Sequence, residues 1–321
     1  YYIYFDSLPQ GFDITFDPDA VAGKPLLRKI TVPDCDVHLG LGTPKENVTK
    51  DARVALGVYQ DGAAYGHDII SQSPGFLSIP FNPSHRGVRS DNQYQATYAE
   101  TGSLWGADYQ CSTGRVYSSA VLKRHSGLGP YVAPAVDAGV QDVPVDGIYI
   151  FEYEPEESLL GAFTLQGVNG IDLGTVKREV ISREVIITDD QMQSPDPYAL
   201  VISNDSIALT ESYDLDAFDK VGKTGFGALS MDPGDQYVWL VNLHQKNLVR
   251  IDVGSGVNIP TDGSKVNSSL VEVYPIDFSE LPSCNGEYRP WALEFHKGVG
   301  YIGLVCDAAV SQASSDLRAY V

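Results

Sequence analysis

The sequence contains only four cysteines and two methionines among its 321 residues. None of the cysteines is spaced as CxxC, and no CxxCH is present, which excludes a zinc ribbon and a c-type haem attachment site. The chain also has no GxSxG, HExxH or HxxEH motif, so it lacks the local signatures of serine hydrolases and zinc peptidases. These absences favour a protein without enzymatic chemistry.

Basic residues are also scarce. The chain has 22 Lys and Arg against 42 Asp and Glu, a formal net charge of −20. A surface of this kind repels phosphate backbones and anionic lipid headgroups, so we expect neither nucleic acid nor membrane surfaces as partners. Divalent cations and cationic partners are favoured instead.

Long apolar runs and long amphipathic helices are both missing. No stretch approaches the roughly 18 apolar residues that span a bilayer, so we expect no membrane insertion. The 19 Tyr, 31 Gly and 19 Pro are typical of strands and turns rather than helices, which predicts an all-β fold. Because the chain begins at Tyr1 with no signal-like run after it, we expect a processed or excised segment of a longer protein.

Three segments, each with one tryptophan, share a plan of apolar strand, tight polar turn and further apolar strands. They surround Trp105, Trp239 and Trp291. In the middle copy we predict strands at 227–231, 237–242 and 247–252, with Asp232-Pro-Gly-Asp235 as a turn. Repeated sheets of this type indicate a β-propeller. With only three clear blades, we expect an incomplete propeller that is continued by further sequence or by another chain.

The predicted organisation has two parts. Residues 1–34 contain short alternating strands, which predict a β-sandwich-like segment or strands that pair with another subunit. Residues 35–321 are expected to hold the blades, with long insertions at 61–95, 123–146 and 165–212. A further blade is predicted near 36–60 or 179–205. The strands at the two chain ends, Tyr1–Phe5 and Leu317–Val321, are expected to be unpaired, so that they complete a neighbouring subunit's sheet and drive self-association.

The motifs GSLWGADYQ…GRVYSSAVLKRHSGLGP, SYDLDAFDKVGKTGFGALSMDPGDQYVWLVNL and NGEYRPWALEFHKGVGYIGLVCDA resemble a propeller of large bacterial surface and adhesin-like proteins. In those proteins the propeller often follows immunoglobulin-like repeats of the SdrD B-like type, and YYIYFDSLPQGFDITF resembles the closing strands of such a repeat. The resemblance implies an exported cell-surface or matrix protein, and it transfers no catalytic residues to this chain.

The cysteines and glycosylation sequons predict an oxidising, extracellular setting. Cys284 and Cys306 flank one predicted strand pair, which favours a disulfide between them, and Cys35 and Cys111 remain as a second pair. The predicted N-glycosylation acceptors are Asn47, Asn204 and Asn267.

Two charged clusters are candidate sites. Asp214, Asp216 and Asp219 precede a blade and form a loose calcium-binding pattern, with a solvated acidic loop as the alternative. Lys123, Arg124 and His125 form a compact basic cluster, which either pairs with acidic loops or contacts a sulfated or carboxylated glycan.

Arg289 is expected near the central channel, as a structural hydrogen-bond donor rather than a ligand clamp.

The leading interpretation is a non-enzymatic extracellular surface or filament-forming protein that acts through protein–protein contacts. One alternative is a calcium-dependent propeller hydrolase or lactonase, with Asn242, His244, Glu294 and His296 at the channel. Another is a glycan-binding module, recognisable by exposed paired aromatics beside the 61–95 loop.

Overall fold

A computed structural model describes most of the chain from residue 53 onward and isolated strands before it. The described residues are 2–4, 13–14, 20–21, 24–29, 41–42, 53–60, 62, 64, 72–80, 93–129, 140–152, 158–179, 213–214, 216–296 and 298–321. The chain divides into two compact units. One comprises Tyr1–Val54 with Pro80–Gly87, and the other comprises Ala55–Ile79 with Val88–Val321.

Strands dominate both units. In chain order they are β1 Tyr2–Tyr4, β2 Asp13–Ile14, β3 Ala20–Val21, β4 Lys24–Lys29, β5 Leu41–Gly42, β6 Arg53–Gly57, β7 Pro74–Pro80, β8 Gln93–Thr97, β9 Leu104–Gln110, β10 Arg115–Ala120, β11 Val140–Pro144, β12 Ile148–Glu152, β13 Ser158–Thr164, β14 Thr175–Glu179, β15 Tyr213–Asp214, β16 Phe226–Met231, β17 Tyr237–Asn242, β18 Asn247–Asp252, β19 Asp262–Lys265, β20 Val271–Pro275, β21 Tyr288–His296, β22 Val299–Cys306 and β23 Arg318–Tyr320. The described α-helices are single turns, α1 Tyr98–Thr101 and α2 Ala217–Lys220, so the predicted all-β fold is confirmed.

The described strands of the N-terminal unit form two small antiparallel sheets. Strands β1, β4 and β3 form one sheet, and β2 pairs with β5. The unit extends past the predicted boundary at residue 34, since β5 at Leu41–Gly42 is the pairing partner of β2.

The larger unit is built from four main sheets. We call them the first sheet (β6, β7, β8), the second sheet (β9, β10, β12, β13), the third sheet (β16, β17, β18, β20) and the fourth sheet (β21, β22, β23). In the second sheet β19 lies parallel to β13 and covers its outer edge. A side sheet consists of β11, β14 and β15.

The sheets pack face to face in chain order. Between the first and second sheets, the ring of Phe76 stacks on that of Phe151 at 4.0 Å. The second and third sheets share the largest apolar cluster, which includes Ile150 and Leu240. The third and fourth sheets meet through a smaller cluster around Val241 and Leu293.

The second and third sheets are therefore covered on both faces, which explains the nearly continuous apolar run Tyr237-Val-Trp-Leu-Val in β17.

The first strands of the last three sheets approach one another closely. A Cβ atom on Gly106 of β9 would lie 3.1 Å from the Leu229 nitrogen, and one on Gly227 of β16 would lie 2.6 Å from the Trp291 carbonyl oxygen. Because glycine has no Cβ, β16 fits between β9 and β21 with backbone-level contact on both sides.

The predicted strands agree with the structure where alternation and turn signals coincide. Strands β17 and β18 have the predicted bounds, and β16 begins one residue earlier, at Phe226. Trp105, Trp239 and Trp291 lie on β9, β17 and β21. Each is therefore in a different sheet, but Trp239 is on the second strand of its sheet whereas the other two are on the first strand of theirs. The additional sheet predicted near 36–60 or 179–205 has β6 at Arg53–Gly57 as its first strand.

Two predictions about strands differ from the structure. The segment 61–95 contains β7, because Phe76 and Ile79 with Leu77 make Pro74–Pro80 an apolar strand despite its flanking prolines. The strands at the chain ends are paired, not free: β1 pairs with β4, and β23 pairs with β22. Within the described residues, each is an edge strand of its sheet.

Within the described residues every sheet is open and none closes on itself.

Candidate interaction surfaces

The fourth sheet has one covered face and one exposed face. Opposed residues in an antiparallel pair point to the same side, and the pairs Glu294–Tyr301 and His296–Val299 share the side away from the third sheet. Val305 and its partner Ala319 lie on that side as well. We call the side formed by Ala292, Glu294, His296, Val299, Tyr301, Val305 and Ala319 the outer face.

Three large apolar side chains are open to solvent on the outer face. Val299 is 53% exposed, Tyr301 45% and Val305 39%. On the opposite side of the same strands, Leu293 and Leu304 are only 5% and 8% exposed. Strand β22 is thus apolar on both sides, although only one side is covered, and exposed apolar side chains of this kind mark interaction sites. On the outer face, Tyr301 and Val299 lie opposite Glu294 and His296 of β21.

The covered side carries the tryptophan contacts. The Trp291 indole meets that of Trp105 edge-to-face, with ring centroids 5.8 Å apart. The Trp239 ring lies 5.9 Å from that of Phe295 on β21. The three tryptophans of the repeated segments therefore all lie at contacts between the last three sheets.

An ion-pair network fastens the third sheet to the fourth. Lys246, in the β17–β18 turn, binds Glu287 at 2.5 Å, and Arg289 binds Glu287 at 2.8 Å. The Arg289 Nε atom also donates to Asp307 at 2.9 Å. The hydrogen bond from Lys246 and the nearby charge of Arg289 hold the pKa of Glu287 below its usual value. Arg289 thus acts as a donor to neighbouring segments, which is the structural role expected for it.

A disulfide closes the loop before the fourth sheet. Cys284 is bonded to Cys306, with their Cα atoms 5.6 Å apart, and this is the first of the two predicted pairs. Cys111 carries a free, exposed thiol, so the second predicted bridge is not formed at this residue. The β9–β10 turn is held another way, since the Cys111 N–H donates to Asp235 at 2.8 Å. Cys35 lies outside the described residues.

The residues proposed for a lactonase site lie in different surroundings. Asn242 is fully buried and its carboxamide is saturated: Nδ2 donates to the Asp172 carbonyl and to Gln245, and Oδ1 accepts the N–H groups of His244 and Gln245. His244 is half-exposed, 3.5 Å from the Asp172 carboxylate.

Glu294 and His296 lie on the outer face instead. No three His, Cys, Asp or Glu side chains group as a metal site in the part of the chain that the structure describes.

The predicted calcium ligands are divided between different contacts. The Asp216 carboxylate binds Lys220 at 2.7 Å and accepts the Lys177 N–H at 2.8 Å. Asp219 is exposed on α2, and the side chain of Asp214 lies outside the described residues. Calcium at this segment stays a prediction.

The predicted basic cluster is an exposed turn after β10, in which Lys123, Arg124 and His125 are all open to solvent. The Lys123 ammonium lies 3.9 Å from the centroid of the Tyr59 ring, and the Arg124 guanidinium lies 5.6 Å from that of Phe218. Sequence reasoning missed both aromatic partners, since nothing in the order of residues places 59 or 218 beside this turn.

Of the three predicted glycosylation sites, only Asn267 falls within the described residues. It is exposed, and its Oδ1 accepts from the Ser269 N–H at 3.0 Å and from the Ser269 hydroxyl at 2.9 Å. Asn47 and Asn204 lie outside the described part.

Sequence reasoning also missed Asp146, which the fold buries at the start of the second sheet's β12. The side chain accepts backbone N–H groups from Gly147, Leu165 and Gln166. Burial raises the pKa of Asp146 above its usual value, although these three hydrogen bonds act in the opposite direction. The carboxylate thus connects the end of β13 to the start of β12 and stabilises the second sheet.

Among the described residues, no helix has the length and apolar character to cross a membrane.

Comparison with known proteins gives one distant relationship. No family model matches the chain. The chain is similar to Colossin-D of Dictyostelium discoideum, with 24% identity over 294 residues that cover 91% of this chain and 26% of that protein. The chain therefore spans about a quarter of the length of this relative.

Proposed function

We propose that this chain is an arc of β-propeller blades in an extracellular or cell-surface protein, and that it acts without catalysis, through contacts between β-sheets. The observation that carries the proposal is the outer face of the fourth sheet. In the second and third sheets, one face is covered by the next sheet along the chain. The corresponding face of the fourth sheet is the outer face, and its apolar residues are exposed.

The packing order supports the blade interpretation. Successive antiparallel sheets follow one another in sequence and in space, and their first strands, β9, β16 and β21, are in contact. Propeller blades are arranged in this way around an axis. The Trp105–Trp291 contact, made by the strands on either side of β16, is consistent with first strands that converge toward one line.

The setting is supported by two observations. The disulfide between Cys284 and Cys306 is typical of proteins from oxidising compartments. The similarity to Colossin-D is consistent with a cell-surface or adhesion-type role. The resemblance to propellers that follow SdrD B-like repeats belongs to the same proposal.

A role without catalysis is supported by how the polar side chains are used. The side chains of Asn242, Arg289 and Asp307 each make hydrogen bonds to neighbouring segments of the chain. These polar groups therefore stabilise the fold. The lactonase alternative requires Asn242 to face a ligand, whereas its carboxamide is buried and saturated within the chain.

The expected partner of the outer face is another β-sheet of the same kind. In a solution of this chain alone, the available sheet is the same face of a second copy, which gives a two-fold symmetric contact. The 9, 8 and 3 residues of β21, β22 and β23 present a flat area of roughly 300 Å² at the usual strand spacing and rise. Stable interfaces bury about 1,200–2,000 Å², so self-association through this face is expected to be weak.

Sedimentation equilibrium over a wide concentration range tests the proposal. We expect reversible dimerisation of the wild-type chain at high concentration, and a monomer for Val299→Glu/Tyr301→Glu. The matched control is Val310→Glu/Tyr109→Glu, which places the same charges on positions that are 85% and 42% exposed and lie away from this face. A wild-type chain that stays monomeric throughout, or a control that dissociates equally, contradicts the assignment of this face.

A further inference from the structure

The basic turn Lys123–His125 lies beside two aromatic rings from distant parts of the chain. We propose that Lys123, Arg124, Tyr59 and Phe218, here called the basic–aromatic cluster, form a binding subsite for an acidic carbohydrate that carries sulfate or carboxylate groups. This site is separate from the outer face of the fourth sheet and does not depend on what covers that face.

The turn is held firmly although its side chains are exposed. Residues 120–122 before it and 126–129 after it are buried. The His125 carbonyl accepts the Gly62 N–H at 2.8 Å, and the buried Tyr98 hydroxyl is hydrogen-bonded to the Gly127 N–H. His125 itself has a left-handed backbone, with φ of 67°, which fixes the sharp reversal. Because the backbone of this turn is already fixed, ligand binding costs little additional conformational entropy there.

The two cations have no carboxylate partner among the described residues. Lys123 and Arg124 make cation–π contacts only, to Tyr59 and Phe218. On a chain of net charge −20, cations that avoid ion pairs create a local positive site. An ammonium supplies a point charge, whereas a guanidinium binds planar anionic groups through two parallel hydrogen bonds.

Phe218 provides an apolar platform beside these charges. It is 79% exposed, whereas Ala217 before it is 3% exposed and anchors α2 in the core. An exposed ring next to cations suits a sugar, whose C–H face packs on the ring while its anionic group meets the cations. Asp216 on this segment is neutralised by Lys220 at 2.7 Å, so it does not oppose an anion at the cluster.

The overall charge selects among anionic ligands. Long phosphate backbones extend over a surface of net charge −20 and are repelled. A short acidic saccharide needs only the local site. An acidic peptide has the negative charge of such a saccharide but lacks a sugar face that packs on Phe218. The experiment therefore compares the binding of both.

Calorimetric titration with a sulfated tetrasaccharide and with a uronic-acid tetrasaccharide, at low and at high salt, tests the proposal on the full chain. We expect saturable, salt-sensitive binding of at least one of them. Lys123→Ala/Arg124→Ala and, separately, Phe218→Ala should each weaken it at least about tenfold, a difference measurable by titration. Lys265→Ala/Arg318→Ala removes two exposed cations elsewhere and should leave the affinity unchanged.

The remaining outcomes overturn the proposal. Equal weakening by the Lys265/Arg318 control indicates general electrostatic attraction without a site. Unchanged binding by Phe218→Ala shows that the Phe218 ring does not contact the sugar. Binding of inorganic sulfate or of an acidic peptide as tight as that of the saccharides indicates anion binding without sugar recognition, and absence of binding by both saccharides rejects the site. Because Phe218 is exposed, its replacement is not expected to disturb folding, and a thermal melt of each variant checks this.

Discussion

The indole rings of Trp105 and Trp291 meet edge-to-face at a centroid distance of 5.8 Å. The two residues lie 186 positions apart in the sequence and on strands that flank β16 from opposite sides. Trp105 is 42% exposed, whereas Trp291 packs into the cluster between the third and fourth sheets. This contact links the second sheet directly to the fourth.

Truncation of the two indoles should show this coupling. We expect Trp291→Ala to lower the free energy of unfolding by about 2–4 kcal/mol, because it opens a cavity between sheets. Trp105→Ala should cost about 1 kcal/mol, since its ring is partly in water already. In a urea-denaturation double-mutant cycle, the pair should show a coupling of about 0.5–1.5 kcal/mol. Tyr109→Ala with Trp291→Ala is the control pair, and a coupling as large for that pair would contradict the contact.

Asn242 should be the most sensitive polar residue of the β17–β18 turn. Its side chain makes hydrogen bonds at 3.0–3.1 Å to two segments and is fully buried. We expect Asn242→Ala to destabilise the chain by about 2 kcal/mol, because buried donors and acceptors lose their partners. His244→Ala, two residues away on the exposed side, should change the unfolding midpoint little. Similar losses for both variants would argue against this arrangement.

Acid should weaken the fastening between the third and fourth sheets. The folded-state pKa of Glu287 lies below its ordinary value of 4.5, first through the hydrogen bond from Lys246 and then through the charge of Arg289. A lowered folded pKa stabilises the fold at pH above the unfolded value, and this contribution is lost as the pH falls through the folded pKa. Because Glu287 is exposed, solvent screening keeps the effect small.

The test compares urea midpoints between neutral pH and pH 3. Wild type should lose more stability on acidification than Lys246→Met, in which the pKa of Glu287 moves back toward its ordinary value. Lys223→Met serves as the control and should follow wild type. An acid dependence of Lys246→Met that is as steep as that of wild type would place the titration elsewhere.

Thiol chemistry should separate the two predicted cysteine pairs. In non-reducing peptide mapping we expect a Cys284–Cys306 peptide and an alkylated Cys111. Burial raises the pKa of the Cys111 thiol, and the carboxylates of Asp235 and Asp108 raise it further. Alkylation should therefore be slow at neutral pH and accelerate as the pH rises, since the thiolate is the reactive form.

The Asp235→Asn variant offers a matched comparison for this reaction. Asp235 has a left-handed backbone, with φ of 59°, which asparagine tolerates as well as aspartate does. Loss of the charge should lower the thiol pKa and speed alkylation. A Cys111 that resists alkylation until a reductant is added would instead support the Cys35–Cys111 bridge.

The sequence predicts the third sheet well and other elements less well, for identifiable reasons. Strands β17 and β18 alternate regularly and follow the Asp232–Asp235 turn, so local signals agree with the tertiary structure. Strand β7 begins and ends with proline, which is typical of loops, so the sequence does not predict it as a strand. Its place in the fold is fixed by a tertiary contact, the stacking of Phe76 on Phe151. Strand β19 pairs in parallel with a strand about 100 residues earlier, and no local pattern encodes that partner.

The candidate surfaces were only partly predictable for the same reason. The basic turn is visible in the sequence as Lys123-Arg-His125, but its aromatic partners come from distant segments. The outer face cannot be separated from the covered face by alternation, because β22 is apolar on both sides. Which side is exposed follows only from the sheet that packs against Leu293.

Whether the outer face is open can be measured by hydroxyl-radical footprinting of Tyr301, read by mass spectrometry at increasing protein concentration. We predict that Tyr301, Val299 and Val305 are oxidised readily in dilute solution and become protected as the chain associates, while Leu293 is protected throughout. Tyr301 that is protected at every dilution, or that stays equally reactive when the chain associates, would contradict the claim that the outer face is an open contact surface for another sheet.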